Sequence, residues 1–335
     1  MVLKASDELR HPEFMNDDYH WRESLYFNFN DAANKIGGWL YLWVVPNQPK
    51  PSGMLVSFYH GAWPDLKVND KAMASPGHRM VAGDRWIYCF KQDVDHLIDA
   101  NFDDVELCGM KFRRLEPLKQ QKLTFDDGEG NGFDLDARFM MHPYDYADGV
   151  HPTPSWMAAN RYHRSWWVKG TLKIGGKEYP VSCTGDSDHS WGQRHSIEFC
   201  KNLFKMWSFQ TSDGSLSISV LKQGIDERDT QIALGYVTRD GKTAAAAEVE
   251  TSASYDENGV QQGVDLTVTD ELGRTIRAQM PKMHSYIGSG TPETFWGYEG
   301  VGDYIVEGVG TVPGLISYFW PPRVTPQALH AGKWK

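Results

Sequence analysis

The sequence predicts an all-β chain folded as two antiparallel β-barrels in tandem. Three observations carry this reading. Long amphipathic helical periods are scarce, short alternating segments recur every ~8–12 residues, and both halves open on a Trp/Tyr-rich hairpin built around glycines.

Taken in order, "SLYFNFND" (Ser24–Asp31) alternates, "AANKIGG" turns, and "GWLYLWVVPN" (Gly38–Asn47) returns as a second strand. Gly53–Gly61 and Arg85–Gln92 read as further strands, and "KQDVDHLIDANF" (Lys91–Phe102) is the best helical candidate. "KLTFDD" and "FDLDARFMMHPYD" complete the first half, with Gly128–Gly132 as a turn. A loop carrying prolines and small residues, "YADGVHPTPSWMAANR", marks the junction, giving barrels over 1–155 and 156–335. His142, Asp145 and Asp148 structure its approach. The second half restarts with "SWWVKGTLKI-GG-KEYPVSCTG", where Gly175–Gly176 is a strong hairpin signal. Further hairpins turn at Asp213–Gly214, Asp240–Gly241 and Glu271–Gly273, and "EGVGDYIVEGV" closes the chain's strands.

Composition narrows the function classes. The 335 residues carry 34 Lys+Arg against 44 Asp+Glu, a net charge of -10, which argues against nucleic acid or an anionic membrane surface as partner. No apolar run is long enough for a spanning helix, so stable membrane insertion is not expected. The first residues lack a signal-like apolar region, and the four cysteines fit neither a zinc template nor a disulfide framework. A cytoplasmic protein is the expectation. Aromatic residues make up 13% of a chain whose mean hydropathy is -0.51. Such a density fits either an aromatic-lined cavity or thick sandwich packing.

The stretch "CTGDSDHSWGQRH" (Cys183–His195) concentrates the chemistry. On an extended strand, Ser187, His189, Trp191 and Gln193 share one face, and Asp186, Asp188, Ser190 and Arg194 the other. Trp191 is drawn inside and takes His189 with it. Two readings stand. His189 is a satisfied core histidine beside a turn-forming Asp pair, or Asp188 and His189 form an acid/base pair on a cavity walled by Trp191. Asp186, Asp188 and His189, with His163 or His195, could in principle ligate a metal, but no diagnostic spacing supports one, and neither metal nor cofactor is expected. No G-x-S-x-G occurs to supply a serine nucleophile.

These residues resemble a known family. "YFNFND…GGWLYLWVVPN…GMLVSFYHG" is similar to the N-terminal half of AttH-like proteins, related to carotenoid hydratase. "WWVKGTLKIGGKEYPVSCTGDSDHSWGQR" resembles their Asp-His-x-Trp-Gly-x-Arg signature, and "GYEGVGDY" (Gly297–Tyr304) their closing strand, here with an extra Glu299. The resemblance implies tandem lipocalin-like barrels (calycin-like) and cofactor-independent hydratase, dehydratase or isomerase chemistry on greasy substrates. It carries the family's Asp, His and Trp onto Asp188, His189 and Trp191, while His163 stands where relatives often place a carboxylate.

Adding or removing water at an unactivated alkene passes through cation-like charge. It needs a desolvated carboxylic acid, an aromatic wall and a base. Asp188 or Asp303 is the candidate acid and His189 the base; Trp191, Trp207 and Tyr298, with His163, are the candidate substrate contacts. If His189 faces the cavity, Asp188 acts from behind it and Asp303 supplies the proton. Arg194 is expected to pair with Asp186 or Asp188. The expected partner is a hydrophobic small molecule such as an isoprenoid, steroid or aromatic compound. A lipocalin-like carrier without catalysis is the alternative; a sugar-binding sandwich fits less well.

Overall fold

The structure is a computed structural model that describes residues 3–65, 78–95, 97, 100–158, 160–224 and 231–334. The strands of the first half are β1 (Trp21–Asp31), β2 (Ile36–Val44), β3 (Ser52–His60), β4 (Ala62–Trp63), β5 (His78–Ala82) and β6 (Arg85–Val94). They continue as β7 (Asp104–Leu107), β8 (Met110–Glu116), β9 (Gln120–Asp126), β10 (Gly132–Phe139) and β11 (Tyr144–Asp145). A long hairpin follows, β12 (Asn160–Ile174) and β13 (Lys177–Gln193), and then a short helix, α1 (Ser196–Cys200). The second half holds β14 (Phe204–Gln210), β15 (Leu216–Gly224), β16 (Gln231–Arg239), β17 (Lys242–Tyr255) and β18 (Gln261–Asp270). It ends with β19 (Thr275–Met280), β20 (Met283–Ser289), β21 (Trp296–Val306), β22 (Gly310–Trp320) and α2 (Pro326–His330).

The all-β expectation holds, and the two halves differ in closure. Strands β14–β19 with β21 and β22 close an eight-stranded barrel through pairing of β19 with β21. The first half is a curled sheet in the order β5-β6-β3-β2-β1-β13-β12-β10-β9-β8-β7, whose two end strands do not pair with each other among the described residues. Closure removes the exposed edges of the second sheet. The first keeps its curve by wrapping a concave core of Leu25, Phe27, Phe58, Tyr88, Phe125 and Trp166.

Two expectations are corrected. The hairpin β12–β13, assigned by sequence to 156–335, sits in the middle of the first sheet between β1 and β10. The change of sheet therefore falls between Gln193 and Phe204. Gly175 (φ 59°) and Gly176 (φ 78°) make the tight turn as predicted, and its two arms run far enough to bridge both halves. Within the helix predicted over Lys91–Phe102, Lys91–Val94 instead extends β6, because β3 offers partners from His60↔Trp86 through Ser52↔Val94. Positions 96, 98 and 99 lie outside the described residues.

The second barrel is filled. Trp207, Phe209, Tyr298, Tyr304, Tyr318 and Trp320 belong to one buried cluster, with Phe209 and Tyr304 centroids 4.5 Å apart. Rings of this size each remove ~150–250 Å² from water, so they form a core and not an open calyx. The two sheets meet through their outer faces. Tyr144, Tyr146, Met157, Met206, Leu221 and Tyr236 form one joint. Tyr59, Ile87, Cys89, Ile287 and Val301 form another. The short β4 crosses over to pair parallel with β20, and Ser285 Oγ, 2.8 Å from Gly61 N, reinforces the crossing.

Candidate functional site

The site lies between the sheets, and strand alternation builds it. In the β12–β13 register His163 stands opposite Asp188 and Ser165 opposite Asp186, while Tyr26 of β1 also pairs with Asp188. Because successive residues point to opposite faces, Asp186, Asp188, His163, Arg161 and Tyr26 all project from the convex face toward the barrel. From the barrel come the outward residues of facing strands: Met206 of β14, Leu221 of β15, Glu299 of β21 and Ser317 of β22. They enclose a cavity of about 220 Å³, completed by Tyr41, Met157, Arg194, Phe199, Phe204, Phe295 and Phe319.

One wall is a carboxylate–imidazole–carboxylate chain. His163 Nδ1 lies 2.9 Å from Asp186 Oδ2, and its Nε2 lies 3.1 Å from Asp188 Oδ2. Asp186 is fully buried and also accepts from Ser219 (2.7 Å) and Tyr236 (3.2 Å), with its own amide donating to Asn28 Oδ1. Burial disfavours the charged imidazole, yet the two carboxylates outweigh it and raise the His163 pKa. Burial likewise opposes ionisation of Asp188, but Arg161 at 3.8 Å and His163 lower its pKa to about 2. Asp188 is therefore an anion at neutral pH.

The opposite wall holds a carboxyl of contrary character. Glu299 has its pKa raised to about 7 by burial alone, and its Oε1 has no hydrogen-bond partner. Two carboxyl groups on one cavity are thus pushed apart, one ionised and one protonated, as an acid/base site requires.

The sequence-predicted residues are divided by this geometry. Asp188 and His163 line the cavity, and Asp188 is ionised there, where the sequence reading offered it as a protonated acid. His189 does not line it. Its ring points into the first sheet, fully buried, with Nε2 2.9 Å from Glu23 Oε1 and Nδ1 3.3 Å from Tyr162 Oη. Trp191 shares that face and stacks on His11 at 3.8 Å, away from the cavity. Trp207 and Tyr298 point into the barrel core, because on β14 and β21 the neighbouring positions Met206 and Glu299 take the outer face. Asp303 does not line the cavity; it is 37% exposed and 2.9 Å from His284, so it lacks the desolvation an acid needs. Arg194 forms no ion pair with Asp186 or Asp188 among the described residues; it lies 3.4 Å from Tyr41 Oη.

Sequence reasoning assigned no role to Glu299, Tyr26, Arg161 or the Met/Phe wall. Glu299 left a signal, since it is the added residue in the closing strand. The others depend on which face of each strand meets the second sheet.

A second cluster surrounds His189. Donor atoms of His11, Glu23 and His189 lie within 4.8 Å of one another, all three residues buried. Arg10 Nε binds Glu23 Oε2 at 2.6 Å, and both rings contact Oε1. A carboxylate so neutralised reads as an ion-pair core and not as a vacant metal ligand. Burial opposes the Glu23 charge, yet the hydrogen bonds from His11 and His189 hold its pKa far below the usual range.

The family model described as a domain of unknown function, DUF7064, matches residues 4–287. No curated protein matches the sequence. Among solved structures the chain is similar to an AttH (NE1406) from Nitrosomonas europaea, with a TM-score of 0.62 at 13% identity over 95% of this chain and 96% of that one. It is also similar to CghA (TM-score 0.57, 13% identity, 90% and 87% covered). Kievitone hydratase from Nectria haematococca follows at 0.52 and 10% identity, with 90% of each chain covered. At these identities the likeness shows a common AttH-like, lipocalin-like fold. The chain belongs to the DUF7064 family, built on the AttH-like two-sheet fold.

Proposed function

We propose that the protein is a cofactor-independent acid/base lyase or isomerase of the hydratase/dehydratase type, acting on a hydrophobic small molecule held between the two sheets. The observation that carries this reading is the Glu299 carboxyl, unpartnered and protonated up to about pH 7, on the same cavity as the ionised Asp188–His163 pair. Kievitone hydratase, one of the similar structures, is a hydratase by name, which supports the reaction class.

In the hydration direction Glu299 gives its proton to an alkene carbon, and cation-like charge develops on the neighbouring carbon. The faces of Tyr26, Phe204 and Phe319 surround that charge, aromatic contacts of this kind contributing ~0.5–2 kcal/mol each. Water held by Asp188 attacks the cation. The resulting oxonium is a far stronger acid than a carboxylic acid, so an acceptor with a pKa of about 2 suffices to take its proton. His163, clamped by Asp186, fixes the Asp188 carboxylate, and the proton returns to Glu299 through water. Dehydration runs the same steps backwards.

The test is incubation with pooled terpenoid, steroid and aromatic compounds, followed by mass spectrometry for gain or loss of one water or for isomeric shifts. Turnover that disappears in Glu299→Gln and declines above about pH 7 in the wild type supports the assignment. Turnover undiminished in Glu299→Gln refutes it, and ligands that bind but return chemically unchanged favour a carrier.

A further inference from the structure

The cavity opens into a groove that shares Tyr26, Tyr41, Arg194 and Phe199 with it and is about 780 Å³ in volume. Two guanidinium groups stand at this junction. Arg22 projects from β1 and lies 4.8 Å over the Tyr41 ring and 5.7 Å over Trp43. Its Nε is buried without a hydrogen-bond partner, and burial lowers its pKa. Arg194 follows β13, 5.7 Å over the Phe199 ring, with Nη1 3.4 Å from Tyr41 Oη. Neither forms an ion pair among the described residues, whereas the groove's Lys50 and Lys91 do, with Asp95 and Asp93.

This arrangement runs against the protein as a whole. The chain carries a net -10, yet along the cavity and its groove Arg22, Arg161, Arg194, Lys50 and Lys91 outnumber Asp93 and Asp188, and burial raises the Glu299 pKa to about 7. Burying a guanidinium without an anion is costly, and planar Arg groups bind carboxylates through paired N–H donors. Aromatic faces hold both groups in place from one side, and each guanidinium also donates to the Tyr41 hydroxyl, which leaves their remaining N–H donors for a ligand.

We infer that Arg22 and Arg194 form an anion subsite at the throat, and that the substrate is an anionic amphiphile: an apolar body in the inner cavity and a carboxylate at the Tyr41 wall. This rests on the proposed function above for its chemistry, but the binding claim stands separately.

The test uses the full chain and two isosteric probes, 2-naphthoate and the neutral 2-naphthamide, compared by isothermal titration calorimetry. The wild type is expected to prefer the carboxylate by at least about tenfold, with affinity falling as salt rises. Arg22→Gln and Arg194→Gln should each reduce that preference and together remove it. Arg194→Lys should keep part of it, since the charge remains and only the paired donors are lost. Equal binding of both probes, no binding of the carboxylate at millimolar concentration, or a preference that survives in the folded double variant overturns the inference. Glu299→Gln separates the two claims. A carboxylate preference that persists in Glu299→Gln supports the subsite whatever happens to turnover. Turnover that needs Glu299 in a protein without the preference removes the subsite and leaves the lyase reading.

Discussion

Replacing Glu299 with glutamine tests the protonated acid without any knowledge of the substrate. In the folded chain its pKa is about 7, against 4.5 for an ordinary glutamate. Below pH 4.5 the group is protonated in both states and imposes no penalty. Between 4.5 and 7 the unfolded chain releases the proton and the folded chain keeps it, so stability falls as pH rises. Above 7 the loss is complete, and the interval corresponds to about 3 kcal/mol. Glu299→Gln removes the ionisation while keeping the shape. The variant should gain nothing at pH 4 and up to about 3 kcal/mol at pH 8, roughly 5 °C in Tm for a chain of this size. Urea or thermal unfolding of both proteins across pH 4–8 measures it. Any lost hydrogen bond would shift all points equally, so only the pH-dependent part counts. Two stability curves that run parallel refute a buried, protonated Glu299, and with it the proton donor of the proposed mechanism.

Three other outcomes follow from the same geometry. Gly185→Ala should cost ~1–3 kcal/mol or more, read as a lower urea midpoint, because a Cβ there would lie 2.0 Å from Asn28 O and 2.5 Å from Trp166 Nε1. Glu23→Gln should destabilise by about 3–5 kcal/mol at neutral pH by depriving Arg10, His11 and His189 of their shared carboxylate. Since the Glu23 pKa is depressed, that difference is fully present above about pH 4.5 and shrinks as acid is added, which unfolding curves at pH 7 and pH 3 will show. Asp303→Asn should leave both turnover and its pH profile unchanged, since the residue pairs with His284 outside the cavity; a large loss of kcat would restore it as the acid.

The architecture was legible from turns and alternation because both are local. Gly175–Gly176 forces a hairpin wherever it lies in the chain, and alternation assigned Asp188 and His189 to opposite faces correctly. What local pattern could not decide is which face is the functional one. Trp191 does draw His189 inward, but inward here means the core of the first sheet, where Glu23, Tyr162 and His11 satisfy the ring. The convex face, which a lone half-barrel would expose to water, becomes the cavity wall only because the second barrel packs against it. The same cause displaced Trp207 and Tyr298, since strands of a closed barrel send their largest rings to its axis.

That packing also explains why the two carboxyls of the proposed acid/base pair come from different sheets. On a single strand, adjacent carboxyls face opposite ways, and carboxyls two apart share one environment, as Asp186 and Asp188 share His163. Holding one carboxyl ionised and another neutral over one substrate requires two walls of different polarity. The first sheet supplies Arg161 and His163 for Asp188, whereas Glu299 stands between Ile287 and Ser317 on its neighbouring strands, desolvated and without an ion-pair partner among the described residues. A change that moves charge between the walls should therefore cost more than loss of either group. Placing a cation beside Glu299, as in Ser317→Lys at the position directly opposite it on β22, would lower its pKa toward the ordinary range and remove the proton donor at neutral pH. In that variant turnover should survive only at acidic pH, and a pH–rate profile identical to the wild type would show that the polarity difference between the walls is not what drives the reaction.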